Sequence, residues 1–173
     1  MDGELVIRAA DGGDALAMGA VHVRAWQSAY RGVMPDAYLD ALSVEERAEM
    51  WRSILGRHDG SPVVVAVLDG QVVGFATVGA ERTEEEPSTS GELYAMNLDP
   101  DVWGRGIGRA LLRRATDGLV RLGFADAVLW VVPENQRARA LYESHGWKTD
   151  GAVATEEILG VTVTDIRYRK QLP

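Results

Sequence analysis

The chain has 173 residues, no cysteine, 46% hydrophobic and 25% charged residues, and a formal charge of −8 with a sequence pI near 4.9. These values predict one globular domain over residues 1–173 and exclude a disordered chain, a disulfide scaffold, a zinc ribbon and thiol catalysis. The acidity argues against a nucleic-acid partner, which needs a basic surface to displace counterions; no apolar run reaches the roughly 20 residues of a membrane span, and MDGELVIRAADGGD is no signal peptide, so a cytoplasmic protein is expected.

Leu5–Arg8 reads as a short strand. From Asp14 to about Tyr30, Ala15, Met18, Val21, His22, Ala25 and Trp26 recur at steps of three and four, which predicts a helix. Pro35 and Asp36 open a second helical stretch, and Ser43 with Glu46 is a capping-box pattern that starts a third. Val63–Leu68, Asp69-Gly70 and Gln71–Val78 predict a hairpin, because both turn positions tolerate positive φ. Glu81–Ser90 is charged, contains Pro87 and reads as a loop. Glu92–Leu98 reads as a strand that stops at Asp99-Pro100. A helix over Gly106–Leu122 ends at Gly123. Ala127–Val132 is an apolar strand, Asn135 caps a helix that ends at Gly146, and Trp147–Thr155 and Val161–Arg169 close the chain as strands. The order is mixed α/β, with 92–132 as one parallel strand–helix–strand crossover.

Charge is unevenly spread. Residues 101–125 carry Arg105, Arg109, Arg113, Arg114 and Arg121 against two aspartates, a net +3 inside an acidic chain. Guanidinium forks suit oxyanions, although such a run also suits a solvated helix face. Within it, Gly104-Arg105-Gly106-Ile107-Gly108-Arg109 joins a strand to a helix. Alternate glycines let backbone amides approach a ligand, and the helix start adds free N–H groups and a positive dipole end. Together these suit a phosphate, or shape a tight turn. A nucleotide P-loop needs Gly-Lys-Ser/Thr, and no lysine lies near. A dinucleotide fold would have GxGxxG directly after its first strand, with Glu134 as its ribose acid, but Arg109 holds the third glycine position.

The two segments Trp103-Gly104-Arg105-Gly106-Ile107-Gly108-Arg109-Ala110-Leu111-Leu112 and Val131-Val132-Pro133-Glu134-Asn135-Gln136-Arg137-Ala138-Arg139-Ala140-Leu141-Tyr142-Glu143-Ser144-His145-Gly146-Trp147 in series resemble the GNAT superfamily of acyl-CoA-dependent N-acetyltransferases. That family has Gln/Arg-x-x-Gly-x-Gly/Ala between strand and helix, then a strand, an Asn and a helix ending in Tyr and Gly-Phe. Trp103 stands where Gln or Arg is usual, and Trp147 replaces the Phe. The resemblance covers about residues 4–170. It implies an α/β (α+β mixed) fold: a central mixed, mostly antiparallel sheet of about seven strands with one parallel crossover pair, flanked by four to five helices.

The resemblance also implies roles. Acetyl-CoA would be the co-substrate, with no metal. The segment from Trp103 to Arg109 (Trp103, Gly104, Arg105, Gly106, Ile107, Gly108 and Arg109) would bind its pyrophosphate through backbone amides. Met96 and Leu98 would pair with the pantetheine arm as an added strand, and the Met96 amide would polarise the acetyl carbonyl. Asn135 would contact the pantetheine or serve as a helix cap, and Tyr142 would protonate the leaving thiolate or pack in the core. An amine attacks only when neutral, so a base or a water chain must take its proton. Glu92, eleven residues before Trp103, is the candidate, and alternation puts Glu92, Tyr94, Met96 and Leu98 on one face. Trp26 and Tyr30 would pack in the core or wall the acceptor site, and Tyr94 would order water or line the substrate pocket. His22 shares the helical face of Trp26 and Tyr30 and reads as a packed residue. His58 and His145 stand apart from any acidic cluster. The run Glu84–Glu86 reads as a solvated loop, or as a charge that steers a cationic amine. The expected activity is direct acetyl transfer to a primary amine, of a small molecule or peptide, in a ternary complex by a monomer or homodimer. A non-catalytic acyl-CoA sensor and a small NAD-binding enzyme are the alternatives.

Overall fold

The computed structural model describes residues 3–57, 59–83 and 88–173. His58 and the acidic run Glu84–Glu86 lie outside these residues. The elements in chain order are β1 (Leu5–Ala9), α1 (Ala15–Ala29), α2 (Asp36–Asp40), α3 (Val44–Leu55), β2 (Val63–Leu68), β3 (Gln71–Ala80), β4 (Gly91–Leu98), α4 (Ile107–Arg121), β5 (Asp126–Val131), α5 (Gln136–Ser144), β6 (Lys148–Ile158) and β7 (Val161–Gln171). The seven strands form one sheet in the order β1-β2-β3-β4-β5-β7-β6. Only β4 and β5 run parallel, and the other neighbours are antiparallel. The expected mixed sheet and its single crossover are present. A sheet with one parallel pair is not the doubly wound dinucleotide fold.

Local signals form as their chemistry predicts. Asp69 and Gly70 take φ of 50° and 80° in the β2–β3 turn. The Ser43 hydroxyl accepts the Glu46 amide at 3.2 Å, the forward half of the expected box. Asp11 makes a reciprocal box with Asp14 one turn before α1. β6 runs three residues further than expected, to Ile158.

Helices cover both faces of the sheet. On one face Ile107, Leu111, Ala115 and Leu119 of α4 pack against Val64, Ala76, Val78 and Leu129, each buried large side chain stabilising the fold by about 1.5–3 kcal/mol. On the other, Met18 and Val21 of α1 and Trp51 of α3 cover Val65 and Phe75. Further along that second face, Met34 and Leu39 pack on Val132, Ile158 and Val163, with Trp26 and Tyr30 against them.

One irregularity shapes the centre. Val78 pairs with Leu93 and Thr77 with Ala95, so Tyr94 is an extra residue in β4. Such a bulge bends its strand and disrupts the ladder. Accordingly β4 pairs with β5 only at Gly91–Ala127 and Glu92–Val128, and then diverges from it. The bulge also corrects the expected alternation. Leu93 joins the same core cluster that Met96 and Leu98 pack against. Strict alternation forbids that for residues three apart, so Glu92 faces the opposite way from Met96.

Candidate active site

The parting of β4 from β5 leaves a strand edge without a partner. The Asp99 amide donates to the Val73 carbonyl at 2.7 Å. Antiparallel ladders alternate hydrogen-bonded and open pairs, so Asn97 opposite Phe75 and Ala95 opposite Thr77 bond to β3 as well. Met96 and Leu98 therefore turn their amides and carbonyls toward the gap. The Leu98 carbonyl is taken by the Trp103 indole N–H at 3.0 Å. A cleft of about 570 Å³ occupies the gap and runs through the sheet, lined by α4 and α5 on one face and by α1 on the other.

The glycine loop forms one end. Trp103, Gly104, Gly106, Gly108 and Arg109 line the cleft. Gly104 and Gly106 have φ of 76° and 82°, a region that costs other residues about 1–2 kcal/mol. Gly106 is also the N-cap of α4 and offers no side chain to the first-turn amides, which remain available to a ligand. A methyl group on Gly108 would sit 3.3 Å from Leu141, so this glycine lets α4 approach α5. Arg105 is exposed and Ile107 is buried in the core. The structure brings neither side chain to the cleft, leaving only their backbone beside it.

Arg137, outside the expected site residues, joins this end. Its guanidinium stacks 3.3 Å from the Trp103 ring centroid, and both residues line the cleft. The signal for it was its position. A cation in the first turn of a helix opposes the dipole, so Arg109 in α4 and Arg137 in α5 both sit where only an external anion would favour them.

Asn135, Tyr142, Tyr30 and Asp165 meet in the middle of the cleft. Asn135 Oδ1 accepts the Ala138 amide at 3.3 Å as a helix cap. Its NH₂ group is thereby left for the Tyr30 hydroxyl, where a donor opposes the rise in that phenol's pKa. Burial and the nearby Asp165 carboxylate outweigh it and push Tyr30 up to about 12. Tyr142 is 7% exposed, with its ring 6.4 Å from Trp147 and 6.3 Å from Tyr168. Its hydroxyl finds no hydrogen-bond partner among the described residues. Burial, then Tyr30, raise its pKa, so it holds its proton at neutral pH.

Toward α1, His22, Trp26 and Tyr30 line the cleft in successive turns, with Trp26 edge-on to Tyr30 at 5.2 Å. His22 is 6% exposed, and its Nδ1 accepts the Trp51 indole N–H at 3.2 Å. An indole only donates, so the proton of neutral His22 is on Nε2, which has no partner among the described residues. Burial, then Arg47, lower its pKa to about 4. Tyr94 also lines the cleft, its hydroxyl donating to the Ala80 carbonyl and its ring lying under the Arg82 guanidinium.

The structure does not bring Glu92 to the cleft. Glu92 is 2% exposed. Its two oxygens accept the Arg82 guanidinium at 2.9 Å and the Arg82 amide at 2.8 Å. The carboxylates that do line the cleft are Glu156 of β6 and Asp165 of β7. Sequence offered only a weak signal for them, an acid at an alternating strand position beside Val163. Burial, followed by Glu156 and Glu134, raises the Asp165 pKa. The described residues contain no group of three side chains placed to ligate a metal ion, and no helix long and apolar enough to cross a membrane.

Comparison with known proteins bears on this geometry. The uncharacterized N-acetyltransferase YuaI of Bacillus subtilis is 36% identical over 115 residues, 66% of this chain and 64% of that protein. Human N-acetylaspartate synthetase is 34% identical over 128 residues, 74% of this chain but 41% of its own length. The matched segments thus span less than two thirds of both relatives. Among solved structures, a phosphinothricin acetyltransferase from Sinorhizobium meliloti in complex with AcCoA superposes with a TM-score of 0.75 at 25% identity, covering 99% of this chain and 89% of that one. The acetyltransferase (GNAT) family profile matches residues 5–147, which include the bulged strand, the glycine loop and the Asn135–Tyr142 helix. The chain belongs to the GNAT family of acetyltransferases.

Proposed function

We propose that residues 1–173 form one cytoplasmic N-acetyltransferase domain that moves an acetyl group from acetyl-CoA directly to a primary amine in a ternary complex. The observation that carries this is the bare edge of β4, which opens at one end onto the glycine loop and passes Tyr142, whose hydroxyl, unpartnered among the described residues, lines the cleft. The site fits the co-substrate. The edge at Met96 and Leu98 suits an extended amide-bearing arm by strand addition. The amides of Gly104 to Arg109 at the uncapped start of α4 suit a pyrophosphate, with Arg109 and the stacked Arg137 adding charge.

Acetyl-CoA, when bound, supplies an activated acetyl thioester. The Met96 amide donates a hydrogen bond toward the carbonyl oxygen, where negative charge grows during attack. Trp26, Tyr30 and Tyr94 hold the acceptor against the opening. Tyr142 keeps its proton at neutral pH and delivers it to the departing sulfur. The amine must lose a proton before it attacks. With both Glu92 oxygens bound to Arg82, the proton passes to water that enters the cleft with the acceptor. With no cysteine in the chain, an acyl-thiol intermediate on the protein is not part of this scheme.

The test is a panel of amines with acetyl-CoA, read by free-thiol release. Tyr142→Phe is expected to lower turnover by about tenfold or more with acetyl-CoA affinity unchanged. Unaltered turnover would remove Tyr142 from the mechanism. Tight acetyl-CoA binding with no thiol release across the panel would refute the transferase reading.

A further inference from the structure

We propose that the α1 side of the cleft selects an acceptor carrying a second positive charge besides the amine that reacts, and that Asp165 and Glu156 recognise that charge. The inference rests on the transferase reading above.

Ala154 pairs with Asp165 and Glu156 with Val163. Asp165 and Glu156 therefore project from one face as diagonal neighbours, about 7–8 Å apart at the backbone and within reach of a shared ligand. Both line the cleft beside Tyr30. Glu134, just before the Asn135 cap, adds its field to Asp165. Among the described residues no cation pairs with any of the three. The arginines of β7 go elsewhere: Arg167 bonds Asp150 and Glu81, and Arg169 bonds Asp126 and Asp150.

The aromatic lining beside the carboxylates points to an organic cation. The Trp26–Tyr30 pair presents aromatic surface to the same part of the cleft, and aromatic faces attract ammonium groups. His22 lines it too, buried and with Nε2 unpartnered. Its orientation by Trp51 leaves it a neutral donor, so it offers no positive charge to balance the carboxylates. Among the described residues no three His, Cys, Asp or Glu side chains are grouped to hold a metal ion.

The reaction explains why the charge is a second one. A carboxylate placed to hold the reacting ammonium would stabilise the protonated form, which cannot attack. A cation elsewhere on the acceptor stays charged throughout, so its attraction acts equally before and during transfer. It should therefore appear in KM more than in kcat.

The experiment compares a linear alkyl diamine with the monoamine of equal length, using the full chain, acetyl-CoA and thiol release. The wild-type protein is expected to favour the diamine by about tenfold or more in kcat/KM, mainly through KM. Glu156→Gln, at an exposed position, and Asp165→Asn should each reduce that preference to about threefold or less, and Asp165→Glu should restore part of it. Acetyl-CoA affinity, measured by calorimetry, should be the same in all variants. Equal efficiency for the two amines in the wild type, or a preference unchanged by both substitutions, would overturn the inference alone. No thiol release with either amine, while other amines of the panel release thiol, would overturn this inference alone; no release across the whole panel would overturn the transferase reading and this inference with it.

Discussion

Lowering the pH should destabilise this protein through His22 before its carboxylates titrate. His22 is 6% exposed, and burial followed by Arg47 depresses its pKa from 6.5 to about 4. Between those values the unfolded chain binds a proton at this position and the folded chain does not. Stability is therefore fully present above about pH 6.5, falls as the pH drops through that window, and levels off below about pH 4. At pH 5 the unfolded imidazole is almost wholly protonated and the folded one about one tenth protonated, so the loss is about 2 kcal/mol. The limit at lower pH is about 3 kcal/mol. The assay is urea unfolding at pH 7.5 and pH 5.0, on the wild type and on His22→Gln. The glutamine oxygen can still accept the Trp51 indole, but the side chain does not titrate. The wild type should lose about 2 kcal/mol more than the variant over that interval. Equal losses would refute the argument, because they would mean His22 can charge in the folded state at no cost.

Two further perturbations probe the loop and Glu92. Gly106→Ala forces a side chain onto a φ of 82°, so it should cost about 1–2 kcal/mol in thermal or urea unfolding and weaken acetyl-CoA binding by about tenfold in calorimetry; unchanged affinity would detach this turn from the phosphate site. Glu92→Gln removes the charge of a buried carboxylate paired with the exposed Arg82 guanidinium and should lower stability by about 1 kcal/mol, while the acid limb of its pH–rate profile stays at the wild-type position. A displaced limb would return Glu92 to the role of base.

Much of the candidate site was legible because its parts are local. The positive-φ glycines at 104 and 106, the arginines beside them and the Asn135 cap are consecutive or nearly so, and each follows from what neighbouring atoms allow. Tyr142 was legible for a mixed reason, since the helical spacing that aligns it with Ala138 is also what buries it. Arg137 could have been read from its unfavourable place in a helix first turn. Asp165 and Glu156 could not have been placed in the cleft, because nothing in the chain says that β7 inserts between β5 and β6 and so turns their shared face toward it.

The amino-acid sequence alone determined the order of elements, the hairpin at Asp69-Gly70, the glycine loop and the family motifs. Each depends on backbone preferences within a few residues, and those act whatever the rest of the chain does. Tertiary structure alone decided which groups face the cleft. The extra residue Tyr94 opposite β3 shifts the strand's period, turns Glu92 away toward Arg82 and frees the Met96 edge. A one-residue slip in a two-residue period reverses every side chain beyond it, and pairing between strands, not the sequence of either strand, places that slip.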